Sequence, residues 1–376
     1  MSKRFIITIV TLIVIAVSAG AAIFIAKGYS FSPQERRIVG TGIVTIKSVP
    51  DAASVYIDGH LTTATDATIS SLSPKTYSIK LIKEGFIPWE KSITVREGLV
   101  NDIKVTLFPA IPTIYPLTFT GVSNPVLSPD GSKLAYIIPT TSNKKSGIWV
   151  WTMVNNQPIA FARSSEPHQI VSNTVADFSK ASIRWSPNSK QVLATVGNNN
   201  YLLESDSLNA DPRDITPILA VTLGSWEEDK KAKKDTSILS IKDPSIRKIA
   251  SDSAVFEWSP DETKFMARAQ AVTEKELSAK EGISGFKVYD LEEGKEYTLP
   301  PAKSHLWLPD SRHIILVEEG SISLLEFDGT NKAVIYAGSF TNNFVLAWPD
   351  SSRLVIISSF PTPTASEPNL YGVNLR

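Results

Sequence analysis

The sequence lacks cysteine entirely and contains only four histidines among its 376 residues. Disulfides, thiolate zinc sites and cysteine nucleophiles are therefore excluded, and a histidine-based metal centre is not expected. Neither sign of charge is in excess, because 38 basic side chains are matched by 38 acidic ones. Since binding to phosphates needs a basic surface, we expect no nucleic-acid partner. The GxSxG, HExxH, P-loop and GxGxxG motifs are missing as well, so we expect no enzyme active site and no cofactor.

One long apolar segment is present, residues 5–26, and it contains no charged residue. A helix of about 20 apolar residues spans a bilayer, so residues 1–27 are predicted to be an N-terminal tail and a transmembrane signal anchor. Residues 28–40 would then be a juxtamembrane linker. A cleaved signal peptide is one alternative, because Ala19-Gly20-Ala21 resembles a cleavage site, and a buried soluble helix is another. We expect attachment to the cell membrane through this helix, with the C-terminal domains outside the cytoplasm; basic residues on both flanks do not decide the orientation.

Residues 41–109 alternate apolar and polar side chains, with turn residues between the alternating segments. This period of two is typical of half-buried strands, and Asp58-Gly59 is a strong hairpin signal. The pattern predicts a small antiparallel β-sandwich of about seven strands. Asp58 could serve as a ligand carboxylate, but a role in the hairpin turn is favoured.

Several stretches of this segment resemble the signature of PEGA domains. They are PDAASVYIDG at 50–59, LSPKTYSI at 72–79, Glu84-Gly85-Phe86, and Trp89. Ala52 and Lys75 stand where the family usually has glycine, which weakens two tight turns without moving the strands. The resemblance covers residues 41–109 and implies an extracytoplasmic surface role with no known catalysis.

From residue 110 to the end, one motif recurs five times. An apolar strand, usually containing Trp, ends at a Ser-Pro-Asp-type turn, and a second apolar strand runs back. Pro suits the second position of a type I turn, Ser the first and Gly the fourth. Further strands follow each copy, and four strands per repeat make the blade of a β-propeller. The motif prolines are Pro129, Pro187, Pro260, Pro309 and Pro349.

These repeats resemble TolB-type and WD-like propellers over residues 110–376. Blades usually take about 40–50 residues, so the 73-residue distance from Pro187 to Pro260 indicates an insertion or a degenerate blade. An all-β chain is therefore predicted, with the sandwich followed by a five-bladed propeller, or by a six-bladed one as the alternative. The last unit is one strand short. Residues 113–118 are predicted to supply that strand and close the ring, which leaves no open edge.

The long connections of the propeller are predicted to share one face, opposite the tight Pro-Asp turns. Function concentrates on loops carried by a rigid scaffold, so this face is the predicted docking surface, and its alternating charges predict salt-sensitive binding. The connections are residues 140–146, 164–181, 220–253, 273–284 and 360–368. The candidate binding residues on them are Lys144, Lys145, His168, Glu227, Lys230, Lys231, Glu276 and Lys280.

Other conspicuous residues have simpler structural explanations. The motif tryptophans could stack on sugars, but such residues more often pack between blades. His305 and His313 could share a metal, but the motif offers no third ligand. The charged run 227–235 is typical of a solvated loop or short helix. The motif tryptophans are Trp185, Trp258, Trp307 and Trp348.

Together these features predict a membrane-anchored extracytoplasmic protein of the cell envelope that binds or scaffolds a protein or glycan partner. Two alternatives stay open. One is a polysaccharide-modifying enzyme, which would need carboxylates converging in the propeller channel. The other is a purely structural envelope component without a discrete ligand.

Overall fold

The computed structural model describes residues 3–26, 29–32, 37–139, 145–153, 166–253, 255–268, 285–360 and 367–376. The chain forms two compact units, Met1–Ile111 and Pro112–Leu375.

The first unit begins with helix α1 (Lys3–Ala26). Across the described part of the chain, no helix combines the length and the hydropathy that a membrane crossing requires. The predicted transmembrane anchor is therefore not supported. Within the segment predicted as a linker, β1 (Tyr29–Ser32) pairs antiparallel with β2 (Arg37–Gly40).

The β-sandwich of the first unit has seven strands, as the alternating pattern predicts. Its strands are β3 (Gly42–Val49), β4 (Ser54–Ile57), β5 (His60–Ala64), β6 (Ala67–Leu72), β7 (Thr76–Ile82), β8 (Trp89–Thr94) and β9 (Val100–Thr106). One sheet has the order β6-β3-β9 and the other β5-β4-β7-β8. Alternate residues such as Val44, Ile46, Ile79 and Leu81 are fully buried in the core between them.

One pairing in the sandwich differs from the prediction of an entirely antiparallel fold. Strand β9 runs parallel to β3, from Ile43 opposite Val100 to Val49 opposite Thr106. The reason is topological, since β9 follows β8 of the other sheet and is not joined to β3 by a hairpin. Asp58 lies in a turn as predicted, with positive φ at both Asp58 and Gly59, the geometry of a type I′ hairpin.

The described residues of the second unit form five four-stranded antiparallel sheets, the blades of a β-propeller. Blade 1 has β11 (Ser123–Leu127), β12 (Lys133–Ile138), β13 (Gly147–Thr152) and β14 (His168–Ser172). Blade 2 has β15 (Ser182–Trp185), β16 (Gln191–Val196), β17 (Asn199–Glu204) and β18 (Arg213–Asp214). Blade 3 has β19 (Val255–Trp258), β20 (Lys264–Arg268), β21 (Phe286–Asp290) and β22 (Lys295–Thr298). Blade 4 has β23 (Ser304–Trp307), β24 (His313–Glu318), β25 (Ser321–Glu326) and β26 (Ala333–Ala337). Blade 5 has β27 (Val345–Ala347), β28 (Arg353–Ser358), β29 (Asn369–Asn374) and β10 (Ile114–Pro116).

Blade 5 closes the ring by joining the two ends of the propeller sequence. Strand β10 pairs antiparallel with β29, with Tyr115 opposite Gly372. This confirms that residues 113–118 provide the outer strand. The approach is close at Gly372, because a Cβ there would lie 2.7 Å from Cζ of Tyr115.

Adjacent blades are held together by the motif tryptophans. Trp185 of blade 2 donates from Nε1 to the carbonyl of Val126 in blade 1 at 2.9 Å, and Trp307 of blade 4 donates to Glu257 in blade 3 at 3.3 Å. Trp185 and Trp307 also lie in apolar cores shared by the two blades they join. The predicted packing between blades is confirmed for Trp185 and Trp307, whose side chains are not free to stack on a ligand, whereas Trp258 packs with the inserted helices and Phe265 of its own blade.

The 73-residue gap contains two helices, α2 (Leu219–Leu239) and α3 (Pro244–Asp252), where the sequence predicted a loop over 220–253. Trp226 packs with Leu193 of blade 2. Farther along, Ile238 and α3 pack with Phe265 of blade 3. The helices therefore fill the junction between blades 2 and 3, which explains the long spacing without a sixth blade among the described residues.

The structure also shows an unpaired group at this junction. The buried Nε1 of Trp258 has no hydrogen-bond partner among the described residues, unlike that of Trp185 or Trp307. Trp258 packs instead with the inserted helices and Phe265, whereas Trp185 and Trp307 each donate to a carbonyl of the preceding inner strand. The residues 227–236 between the two packed ends of α2 are all exposed, so this part of the helix bridges the two blades through solvent.

Candidate binding site at the mouth of the propeller channel

The strand order defines two faces of the propeller. The turn face carries the motif turns, at 128–131, 186–189, 259–262, 308–311 and 348–351. The connection face carries the links from strand 2 to strand 3 of each blade and from one blade to the next. Each inner strand therefore starts at the connection face and ends at the turn face.

A cavity of about 590 Å³ lies among the inner strands. Its lining residues come from blades 1, 2, 4 and 5, and they are Asn124, Pro125, Val126, Ser182, Ile183, Ser304, Leu306, Asn343, Phe344, Val345 and Ile357. Most of them are at or next to the first residue of an inner strand, and Ile357 is next to the last residue of β28. The cavity is thus at the connection-face end of the channel.

The walls of this cavity are mainly apolar, with a few amide and hydroxyl groups. Asn124 donates from Nδ2 to the carbonyl of Ala181 at 3.3 Å, which fixes one amide at the rim. Among the described lining residues there is no carboxylate and no histidine. The carboxylate pair that a polysaccharide-modifying enzyme would use is therefore not found in these walls.

One ionisable group on the inner strands was missed by the sequence reasoning. Glu257 lies in β19 and is only partly exposed, and burial raises the pKa of its carboxyl from 4.5 to about 7. The sequence did contain a signal for this residue. At the equivalent position of the motif, three other blades have an apolar side chain, Val126, Leu306 or Leu346, and only Arg184 of blade 2 is also charged.

Of the predicted binding residues, the structure places Lys145, Glu227, Lys230 and Lys231 on exposed parts of the connection face. Lys145 is exposed there, and its carbonyl accepts a hydrogen bond from Trp149 Nε1 at 2.7 Å. Glu227, Lys230 and Lys231 are on the exposed middle of α2, where Lys230 and Glu227 form an ion pair at 3.0 Å. Lys144, Glu276 and Lys280 lie outside the described residues.

His168 is not on the predicted face. It begins β14, the fourth strand of blade 1, so it lies at the turn-face end of that blade. Its Nε2 lies 3.0 Å from the carbonyl of Ser205. The prediction that all long connections share one face was therefore wrong for this segment, and of the predicted range 164–181 only the later part, after β14, is on the connection face.

Polar groups on the turn face mainly join the blades to one another. Lys133 Nζ contacts Asp206 at 2.6 Å and Ser205 Oγ at 2.8 Å, linking blades 1 and 2. The N–H of Asp130 donates to Ser189 Oγ at 3.2 Å across the same junction.

The two histidines considered for a metal site have separate partners. His305 Nε2 lies 2.8 Å from the carbonyl of Pro300, and His313 Nδ1 lies 2.6 Å from Asp310. Burial alone would raise the pKa of Asp310, but hydrogen bonds from His313 and two backbone N–H groups hold it below its usual value. No cluster of three potential metal ligands occurs in the described parts of the chain.

Comparison with known proteins finds one family match, within the first unit. Residues 41–110 match the PEGA domain family. No curated protein matches the chain. For the whole chain, similar solved structures include a TolB candidate from Agrobacterium tumefaciens, at 16% identity and a TM-score of 0.24, covering 65% of this chain and 76% of that one. TolB from Acinetobacter baumannii is similar at 12% identity and a TM-score of 0.25, covering 80% of this chain and 60% of that one. The propeller assignment itself rests on the strand pairing described above.

Proposed function

We propose that this protein is a membrane-anchored, extracytoplasmic binding and scaffolding protein of the cell envelope. Its protein partner docks on the connection face of the propeller, over the channel cavity. The observation that carries the proposal is the position of this cavity at the start of the inner strands. A concave, mainly apolar site with a few fixed polar groups is the usual form of a binding site.

Membrane attachment in this proposal rests on the uncharged run of 22 residues at 5–26. Ile7, Leu12 and Val17 are each 65% exposed, which suits a helix in lipid better than one buried in its own fold. Deleting residues 1–27 should release the protein from membranes at high salt, and continued pelleting would refute the anchor.

Docking at the cavity can be tested with two matched substitutions in blade 2. Ser182 lines the cavity and is exposed, and Lys190 is exposed on the turn face. We expect Ser182→Trp to reduce recovery of envelope partners in pull-downs by tenfold or more, and Lys190→Trp to leave it unchanged. Urea titrations of both variants check that they fold. The opposite pattern, with loss only in Lys190→Trp, would place the partner on the turn face, and recovery of a glycan alone would replace the protein partner by a sugar.

A further inference from the structure

Glu257 is not itself a lining residue of the cavity, but it occupies the position that lines the cavity in blades 1 and 4. It pairs with Met266, the third residue of the second strand of its blade. Val126 and Leu306 pair in the same way with the third residues of β12 and β24, and both line the cavity. Since the inner strands of a propeller repeat one register around the channel, Glu257 lies at the depth of these two side chains, on the blade between blades 2 and 4.

The nearest cross-strand neighbour of Glu257 is apolar. Glu257 lies opposite Met266, which is fully buried in the core between blades 3 and 4, whereas Phe256 and Trp258 point to the other face of the strand. The side chain of Glu257 has no hydrogen-bond or ion-pair partner among the described residues. A carboxylate left unpaired in such a place is unfavourable, and this is the physical cause of its raised pKa.

Charged groups on the neighbouring strands do not neutralise Glu257. Lys264 Nζ donates to Thr263 Oγ1 and lies 4.8 Å from the ring centroid of Phe327. Arg268 is exposed at the connection-face end of β20. Nε2 of His305 on β23 lies 2.8 Å from the carbonyl of Pro300, and burial lowers the pKa of this imidazole. The carboxyl is therefore available to a cation supplied from outside the chain.

We propose that Glu257 is the counter-ion for a primary ammonium group on an apolar stem, such as a lysine side chain that the docking partner inserts through the connection face. The apolar walls would pack against the stem, and the compact ammonium would reach the carboxylate. This inference rests on the proposed function, because it assumes that the partner docks over this cavity. It adds the chemical class of the inserted group and the residue that selects it.

The test compares two small probes that differ only in the ammonium group. They are N-acetyl-lysine methylamide and its norleucine counterpart, added to the full chain in a non-ionic detergent at pH 8, with ligand-observed NMR as the readout. We expect the lysine probe to bind roughly tenfold more tightly than the norleucine probe. Glu257→Gln should abolish this preference. Glu262→Gln, an exposed carboxylate in the motif turn of the same blade, should leave it intact.

The pH dependence provides a second readout. Because Glu257 must be ionised to bind the ammonium, binding of the lysine probe should weaken between pH 8 and pH 5.5 in the unaltered chain but not in Glu257→Gln. Equal binding of both probes, sensitive to Ser182→Trp but not to Glu257→Gln, would overturn the counter-ion and leave docking at the cavity standing. If neither probe binds while the pull-down still depends on Ser182, the ammonium is again the wrong ligand. If neither probe binds and the pull-down does not depend on Ser182, both the counter-ion and the docking site are wrong.

Discussion

Because β10 pairs with β29 to close the propeller, the effect of a substitution at Gly372 on the free energy of unfolding should depend on Tyr115. A Cβ at position 372 would lie 2.7 Å from Cζ and 3.0 Å from Oη of Tyr115, closer than side chains normally approach. Overpacking of this kind destabilises by about 1–3 kcal/mol. We expect a cost at the low end of this range, because the added methyl group would meet the outer end of the Tyr115 side chain, which can rotate away. Replacing Gly by Ala in a strand otherwise stabilises by about 0.5–1 kcal/mol through the unfolded chain.

The sign of the effect should therefore depend on Tyr115. We expect Gly372→Ala to lower the free energy of unfolding by about 0.5 kcal/mol in the unaltered chain, and to raise it by about 0.5 kcal/mol in the Tyr115→Ala background. Urea unfolding followed by tryptophan fluorescence is suitable, because seven of the eight tryptophans are in Pro112–Leu375. Gly285→Ala, where a Cβ meets no atom within 4 Å, should show no dependence on Tyr115. Additive effects of Gly372→Ala and Tyr115→Ala, within about 0.3 kcal/mol, would refute the pairing of β10 with β29.

Two further predictions concern buried groups at the blade junctions. Since the folded state holds a proton on Glu257 up to about pH 7 and the unfolded chain only to about 4.5, stability should fall as pH rises from 4.5 to 7, by at most about 3 kcal/mol. Glu257→Gln should remove this fall, and equal pH profiles of variant and parent in urea titrations would contradict it. Trp185→Phe should destabilise the chain by about 1 kcal/mol more than Trp258→Phe, because only Trp185 Nε1 has an acceptor. A calorimetric comparison in which Trp258→Phe is the more harmful would show that its indole has a partner after all.

The strands and turns of both units could be predicted because their signals are local. The alternation over 41–109 and the five turn motifs fix side-chain direction and chain reversal within a few residues. The motif turns have the expected form, with positive φ at the fourth position even where Ser189 or Glu262 replaces Gly131. Closure by residues 113–118 followed from counting strands in the last repeat.

A short helix over 227–235 was one of two predicted forms, but the full length of α2 and the presence of α3 were not predicted, because their buried residues are few and widely separated. Trp226 and Ile238 are the buried residues of α2, and the residues 227–236 between them are exposed on every side. An amphipathic period is therefore lacking, although Lys, Glu and Ala favour a helix. Asp243 followed by Pro244 was a readable start signal for α3, since Asp243 Oδ1 accepts from the N–H of Ser245 at 2.7 Å.

The position of His168 and the importance of Glu257 depend on register between distant strands. Assigning His168 to a face required knowing that β14 is the fourth strand of blade 1, and the sequence between β13 and β14 contains no turn motif that indicates this. The depth of Glu257 in the channel follows only from its pairing with Met266. Strand pairing of this kind is a long-range property, and one sequence alone does not determine it.

Docking at the channel mouth is tested most directly by photo-crosslinking in intact cells. A photoreactive residue is placed at Ser182, in the cavity wall, or at Lys190, on the turn face of the same blade. We predict that one envelope protein is crosslinked from position 182 and not from position 190, and that Glu257→Gln weakens this crosslink. Crosslinking of the same protein from position 190 alone would contradict the account.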